Sequence, residues 1–164
     1  MTADPKNTDL KSTVGKALGR VPSGLFILTA VDRDQKIGML VSWVQQAAFD
    51  PPAISIAIGK DRPIRQTILQ TRRFVLSVLA EGSTDLMRRF ARATDRDPFD
   101  GLELLPAPSG LPILADSLAW LDCELMTSID AAADHELFVA RVAAGELLRT
   151  GQSFMHVRGN GFHY

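Results

Sequence analysis

The residues with the clearest chemical potential lie in one stretch, Gly38–Pro52, which reads GMLVSWVQQAAFDPP. Its first half is rich in strand-forming side chains and includes Trp43, while Gln45 and Gln46 add paired amides. An extended segment offers backbone donors and acceptors, and a tryptophan offers a flat apolar surface. The combination suits contact with a flat polar ring, although a tryptophan is also common in a plain hydrophobic core.

A basic turn follows one strand later. Lys60, Arg62 and Arg65 surround Pro63, which suits the first turn of a helix, and helix N-termini bind phosphate. The intervening strand, residues 53–58, would separate the turn from the first stretch by roughly 20 Å. A mononucleotide such as FMN needs donors for its ring and cations for its phosphate, so the two groups could hold its two ends. The alternative is a solvated basic turn without a ligand.

A third candidate is His135, which lies between Asp134 and Glu136 at the start of a predicted strand. A neighbouring carboxylate can hold an imidazole as a donor to a carbonyl or to a reduced ring. The alternative is a surface histidine in an acidic loop.

Composition excludes several classes of function. A chain of 164 residues fits one domain, 1–164, in which residues 1–9 are expected to form a loose arm. A net charge of -1 gives no field that would attract nucleic acid or anionic lipid. We expect a cytoplasmic protein, because no secretion signal and no apolar run of about 20 residues is recognisable. The single Cys123 and the scattered histidines predict neither a disulfide nor a metal site.

The elements that must position these groups are mainly strands. We expect a hairpin formed by residues 24–31 and the first stretch, then strands at 53–58, 74–79, 118–129 and 136–148. The alternation in 53–58 predicts that Ile54, Ile56 and Ile58 face the core. Short helices are expected at residues 10–21, after Pro63 and at 83–92, and the proline-bearing segment 94–112 should pack over the domain. This order favours an antiparallel sheet closed into a barrel over a doubly wound fold.

Ordered blocks of sequence also resemble a known family. The stretch GMLVSWVQQAAFDPP, the basic turn, Arg89-Phe90-Ala91 and the block ADHELFVARV at 133–142 resemble the flavin reductase-like family, from about Leu18 to Tyr164. Three segments, LGRVPSGLFILTA, SWVQQAAFDPP and KDRPI, are similar to the C-terminal flavin reductase module of cyanobacterial diflavin flavoproteins. The chain therefore looks like a stand-alone relative or one module of such a protein.

The resemblance implies a mainly β (α+β) fold, an antiparallel six-stranded Greek-key split β-barrel with two or three short helices. It also implies a homodimer that binds FMN, with FAD as the alternative, and uses NAD(P)H as co-substrate. Four residues would border the flavin ring: Leu40, Val41, Ser42 and Trp43. Three would approach the ribityl chain: Gln45, Gln46 and Ala47. Lys60 and Arg62 would hold the phosphate, and His135 would lie near the reactive face of the ring.

Two departures from the family pattern sharpen these expectations. The family often has hydroxyl side chains where this chain has Leu40–Trp43, so the flavin ring should be recognised mainly through the backbone. Ala133 replaces the glycine that usually precedes the Asp-His pair, which changes the expected geometry of that loop.

Three functions remain open at this level. The first is an NAD(P)H-dependent flavin or acceptor oxidoreductase. The second is an FMN-binding electron-transfer module with no NAD(P)H activity of its own, served by a fused or docked protein partner. The third is a split-barrel protein that binds another planar ligand.

Overall fold

The computed structural model describes residues 5–92 and 96–162, with side chains described from Ser12 onward. The chain divides into two compact units. One comprises the chain ends, up to Ser23 and from Met155, and the other runs Gly24–Phe154. Every residue proposed for the site belongs to the second unit.

In chain order, the elements of the described residues are α1 (Pro5–Leu18), β1 (Ser23–Gly24), β2 (Phe26–Asp32), β3 (Gln35–Val41), β4 (Val44–Phe49), β5 (Pro52–Gly59), α2 (Pro63–Thr71), β6 (Arg73–Val78), α3 (Thr84–Ala91), β7 (Leu104–Pro106), β8 (Pro112–Leu114), β9 (Ala119–Asp130), β10 (His135–Leu147) and β11 (Met155–His156). Helix α1 begins at Pro5, within the segment expected to be a loose arm, and proline is well suited to a first helical turn. No helix of the described residues is long and apolar enough to cross a membrane.

The large unit is built on an antiparallel sheet in the order β3-β2-β6-β9-β10-β5-β4. The predicted fold class, mainly β with short helices, is confirmed. The sheet has seven strands where six were expected, because the stretch 38–49 is divided between two strands. Leu40 pairs with Ile27 of β2, whereas Val44 pairs with Ile56 of β5. The connection through Ser42 and Trp43 therefore carries the chain from one edge of the sheet to the other.

One hydrophobic core forms beneath the long strands. Ile54, Ile56 and Ile58 are all buried there, as the alternation predicts, and pack with Phe74 and Phe138. Burying one such side chain contributes about 1.5 to 3 kcal/mol, so this row of β5 anchors the strand firmly. The side chains of the alternate residues on β5 are small and face the other side of the sheet.

A second core forms where α3 and the segment after it cover β3. Phe90 and Phe99 pack edge to face with ring centroids 5.1 Å apart. Both rings lie against Gly38, where a Cβ atom would come within 2.6 Å of Phe90. The expectation that segment 94–112 packs over the domain is thus confirmed for Phe99, which is buried in this core. A glycine at position 38 is needed because the two rings occupy its side-chain space.

Candidate functional site

The structure brings the aromatic stretch, the histidine and the basic turn to one end of β5. The Trp43 carbonyl accepts a hydrogen bond from Ala57 N–H at 3.1 Å. His135 begins β10 directly opposite Gly59, and its ring lies 4.7 Å from the Trp43 ring, centroid to centroid, at 48°. Because Trp43 lies opposite a residue only two positions before Gly59, it is roughly 7 Å along the strand from the turn. The expected separation of 20 Å is therefore wrong for Trp43, since β4 folds back along β5.

The backbone of β3 is available at this end of the sheet. In the described part of the chain, β3 is an edge strand that pairs with β2 alone, so alternate N–H and C=O groups of residues 38–41 face away from β2. The side chains of two of these residues already pack in the hydrophobic cores. Leu40 packs in the second core, and Val41 is buried in the first. This part of the predicted ring site can offer a ligand its backbone but few side-chain contacts.

Four buried polar atoms of the described side chains have no hydrogen-bond partner: Ser23 Oγ, Thr29 Oγ1, Ser42 Oγ and His135 Nδ1. Thr29 lies opposite Gly38 of β3, and Ser42 and His135 lie next to Trp43 in the chain and in space, respectively. Nδ1 is 3.0 Å from Asp134 Oδ1, but the direction of the ring N–H does not satisfy a hydrogen bond. Buried polar groups are normally paired, so orphaned groups beside an exposed sheet edge fit a polar partner supplied from outside the chain.

The basic turn is tied to the loop that precedes β10. Lys60 N–H donates a hydrogen bond to the Asp134 carbonyl at 3.0 Å, and Lys60 Nζ lies 2.6 Å from Asp130 Oδ1. Lys60 and the Ala132 N–H both donate to Asp130, and these interactions lower the pKa of its carboxyl. Arg62 immediately precedes α2 and is half exposed, with Nε 3.7 Å from Asp61 Oδ1. Both predicted phosphate ligands therefore lie at the start of α2, beside His135.

Arg65, the third cation of the predicted turn, is paired with a buried carboxylate. Its guanidinium lies 2.5 Å from Glu136 Oε2, and Nε donates to the same oxygen at 2.6 Å. Glu136 is buried, and hydrogen bonding from Ser128, together with the Arg65 charge, lowers the pKa of its carboxyl. The phosphate contact expected of Arg65 stays a prediction; in this structure its guanidinium is the counter-charge that the burial of Glu136 requires.

The three residues assigned to the ribityl chain lie farther along the sheet. Gln45 pairs with Ser55 and Gln46 with Ile54, and Ala47 is the extra residue of a β-bulge before Ala48. Ile54 is five residues from Gly59, which places Gln46 roughly 16 Å from the basic turn. The structure therefore does not place these residues between Trp43 and the turn. Gln45 and Gln46 instead border a separate, mostly apolar cavity of about 370 Å³.

Sequence reasoning missed the carboxylates that organise the turn, Asp130 and Glu136. One signal for Glu136 was available. Strand periodicity places it on the same face as Phe138 and Ala140, which are fully buried. An acidic residue at an inward position requires a cationic partner, but the sequence alone does not identify that partner as Arg65, which is 71 positions away.

The comparisons with known proteins agree with this geometry. The family described as flavin reductase like domain matches residues 18–161. This chain belongs to that family. Diflavin flavoprotein A 1 of Synechocystis sp. strain PCC 6803 is 37% identical over 161 residues, which cover 94% of this chain and 28% of that protein. The chain thus spans less than a third of the length of this family relative.

Solved structures of the same fold are also similar. A homologue of nitrilotriacetate monooxygenase component B from Mycobacterium thermoresistibile has a TM-score of 0.85 and 25% identity, covering 94% of this chain and 86% of its own. The NADH:FAD oxidoreductase of Streptomyces globisporus C-1027 has a TM-score of 0.81 and 25% identity, covering 97% and 94%. The split-barrel fold expected from the sequence resemblance is confirmed by these neighbours.

Proposed function

We propose that this chain binds FMN and reduces it, or an acceptor served by it, with NAD(P)H. The observation that carries the proposal is the meeting of three groups at one end of β5. These are the end of β3, an edge strand that leads through Ser42 to Trp43, the Trp43–His135 ring pair, and the basic turn at the start of α2. The family match and the similarity to a protein named as an NADH:FAD oxidoreductase support the same chemistry.

Within this proposal, the ring lies along the backbone of Leu40–Trp43 and the phosphate lies at the start of α2. Lys60 and Arg62 provide cations there, and the first N–H groups of the helix add their partial positive charge. We leave Gln45, Gln46 and Ala47 outside the assignment, because their distance from the turn does not fit a ribityl contact. FAD would use the same ring and first phosphate contacts and extend beyond them.

His135 is the residue proposed for the reacting end of the site. A bound flavin supplies the hydride-accepting chemistry, and the protein contributes position, exclusion of water and charge complementarity. Asp134 holds the imidazole from one side and Trp43 from the other, so the ring orientation is restrained. Since Nδ1 lies 3.0 Å from Asp134 Oδ1, the other ring nitrogen, Nε2, is the atom proposed to donate to a carbonyl or ring nitrogen of the flavin.

The direct test is anaerobic mixing of the purified, flavin-loaded protein with NADH and, separately, with NADPH. Bleaching of the oxidised flavin absorbance with either nucleotide supports the reductase. A protein that retains no flavin after incubation and desalting, and that catalyses no nucleotide oxidation with free FMN, contradicts the proposal.

A second candidate follows from the length of the relatives. Because the chain corresponds to 28% of a diflavin flavoprotein, it could act as an electron-transfer module that exchanges electrons with another protein or module. The same experiment separates the two functions. Bound flavin that stays oxidised with both nucleotides, yet is reduced by dithionite, supports the electron-transfer module.

We also propose a homodimer, as the family resemblance implies. Leu137 and Ile129 are paired on β10 and β9, and both are exposed apolar side chains. Their face of the sheet would gain from burial against a second copy. Light scattering coupled to size-exclusion chromatography tests this, and a mass of one chain at micromolar concentration contradicts it.

A further inference from the structure

All three cations of the basic turn have carboxylate partners. The pairs are Lys60–Asp130 at 2.6 Å, Arg62–Asp61 at 3.7 Å and Arg65–Glu136 at 2.5 Å. Each of the three positive charges is therefore paired with one negative charge. A phosphate that approaches the start of α2 meets three basic side chains that already have carboxylate partners.

The three pairs differ in how readily they can exchange partners. Glu136 is buried, and its side chain is only 7% exposed, so Arg65 is retained by it. Asp130 and Asp61 have side chains that are 57% and 81% exposed. Exposed ion pairs are weak and screened by salt, so these two can be displaced by a ligand that carries more charge.

We propose that Asp61 and Asp130 determine specificity by competing with the flavin phosphate for Arg62 and Lys60. The proposal rests on the function proposed above and deepens it. A phosphate monoester carries about two negative charges at neutral pH. It must displace these carboxylates or bind beside them, and in both cases part of its attraction to the cations is lost. The ring then supplies most of the affinity, and flavins with and without phosphate bind with similar strength.

Asp130 offers the cleanest test, because its charge can be removed while its hydrogen bond from the Ala132 N–H is kept. Its Oδ1 accepts hydrogen bonds from Lys60 Nζ at 2.6 Å and from Ala132 N–H at 2.8 Å. An asparagine keeps a carbonyl oxygen at this position and removes only the charge. The Ala132 contact, where φ is 55°, is therefore preserved in Asp130→Asn.

The experiment measures the dissociation constants of FMN and riboflavin, by fluorescence titration at low and at 0.5 M salt, for wild type, Asp61→Asn and Asp130→Asn. Each substitution should tighten FMN by about twofold to fivefold at low salt, the range expected for one exposed charge. Riboflavin should change much less, and high salt should reduce the gain. In a Lys60→Ala background, Asp130→Asn should have no further effect on FMN.

Asp116→Asn is the matched control. Asp116 is also an exposed carboxylate paired with an arginine, Arg149, at 3.2 Å, and its removal changes the net charge by the same amount. This variant should leave both dissociation constants unchanged. If Asp130→Asn weakens FMN, or tightens FMN and riboflavin equally, competition by Asp130 is overturned while flavin binding stands. If wild type binds neither flavin, both the competition and the proposed function fail.

Discussion

The candidate site has a proposed ring end at Leu40–Trp43 and a proposed phosphate end at Lys60 and Arg62, and these two ends use their side chains in opposite ways. At the ring end, Leu40 and Val41 are packed into two different cores, so the strand edge that remains for a ligand is backbone. At the phosphate end, the side chains of Lys60 and Arg62 are partly exposed and held by exposed carboxylates. The first arrangement cannot change without disturbing the fold, whereas the second can change partners in solution.

This difference indicates which part of the site can change the selectivity between related flavins. A site built from the backbone of an edge strand recognises shape and hydrogen bonding, and it tolerates changes of side chain that preserve the cores. A site built from exposed ion pairs responds to single charges and to salt. The ring should therefore dominate affinity, and the turn should adjust it between related flavins.

The largest expected effect concerns the histidine that joins the two ends. His135→Ala should slow reduction of the bound flavin by about a hundredfold, the lower end of what a positioned proton donor contributes. Flavin affinity should fall much less, because the backbone of β3 is intact. Stopped-flow absorbance gives the rate, and fluorescence titration gives the affinity.

His156→Ala is the control for that change, since it removes another partly buried histidine outside the large unit. His135→Asn, which restores a donor, should recover part of the rate. An unchanged rate in His135→Ala would support the alternative interpretation, in which His135 is a surface histidine with no part in the reaction.

A second prediction separates structure from binding at the phosphate end. Glu136→Gln should lower the free energy of unfolding by roughly 1 to 3 kcal/mol at pH 7, because Arg65 loses its charged partner. The pKa of Glu136 is lowered in the folded protein. Its ionised carboxylate therefore stabilises the folded state fully above the ordinary carboxyl pKa of about 4.3, and this stabilisation is lost as the pH falls through the pKa of the folded state. Urea unfolding at pH 7 and at pH 4 measures both effects.

The variant should therefore lose less stability on acidification than wild type does. Glu146→Gln, an exposed position on the same strand, is the matched control and should change neither value. Equal acid sensitivity in Glu136→Gln and wild type would show that the Arg65–Glu136 pair does not stabilise the native state through its charge.

A third prediction addresses the ring end directly. Trp43→Ala should weaken FMN and riboflavin alike, by about tenfold, because an aromatic contact acts on the ring that both ligands share. Phe49→Ala is the control, since Phe49 is 88% exposed and lies at the far end of β4, the strand that follows Trp43. Fluorescence titration of both ligands decides the matter, and a loss confined to FMN would refute a ring contact for Trp43.

The smallest effect is expected at the turn itself. Lys60→Ala combined with Arg62→Ala should weaken FMN by about threefold to tenfold and riboflavin by less, because both cations are partly neutralised already. Arg88→Ala with Arg89→Ala removes two exposed cations from the last turn of α3 and serves as the charge-matched control. Equal losses of affinity for FMN and riboflavin would show that the turn does not bind the phosphate.

Much of the fold could be predicted because it depends on local patterns. The alternation around Ile54, Ile56 and Ile58 predicted a buried strand face, and Pro63 predicted the start of α2. The strand count differed because the break at Ser42–Trp43 has no local signal. It exists because Leu40 and Val44 pair with strands on opposite edges of the sheet, a long-range choice.

The candidate site was predictable only in its parts. Residue types alone identified Trp43, His135 and the basic turn as a set with complementary chemistry, and charge patterning placed cations at a helix start. The register of β4 on β5 and of β10 on β5 decided that Trp43 and His135 touch, and that Gln46 lies far from the turn. The ion pairs of Lys60 and Arg65 join residues about 70 positions apart, so only the packed sheet and helix bring these opposite charges within bonding distance.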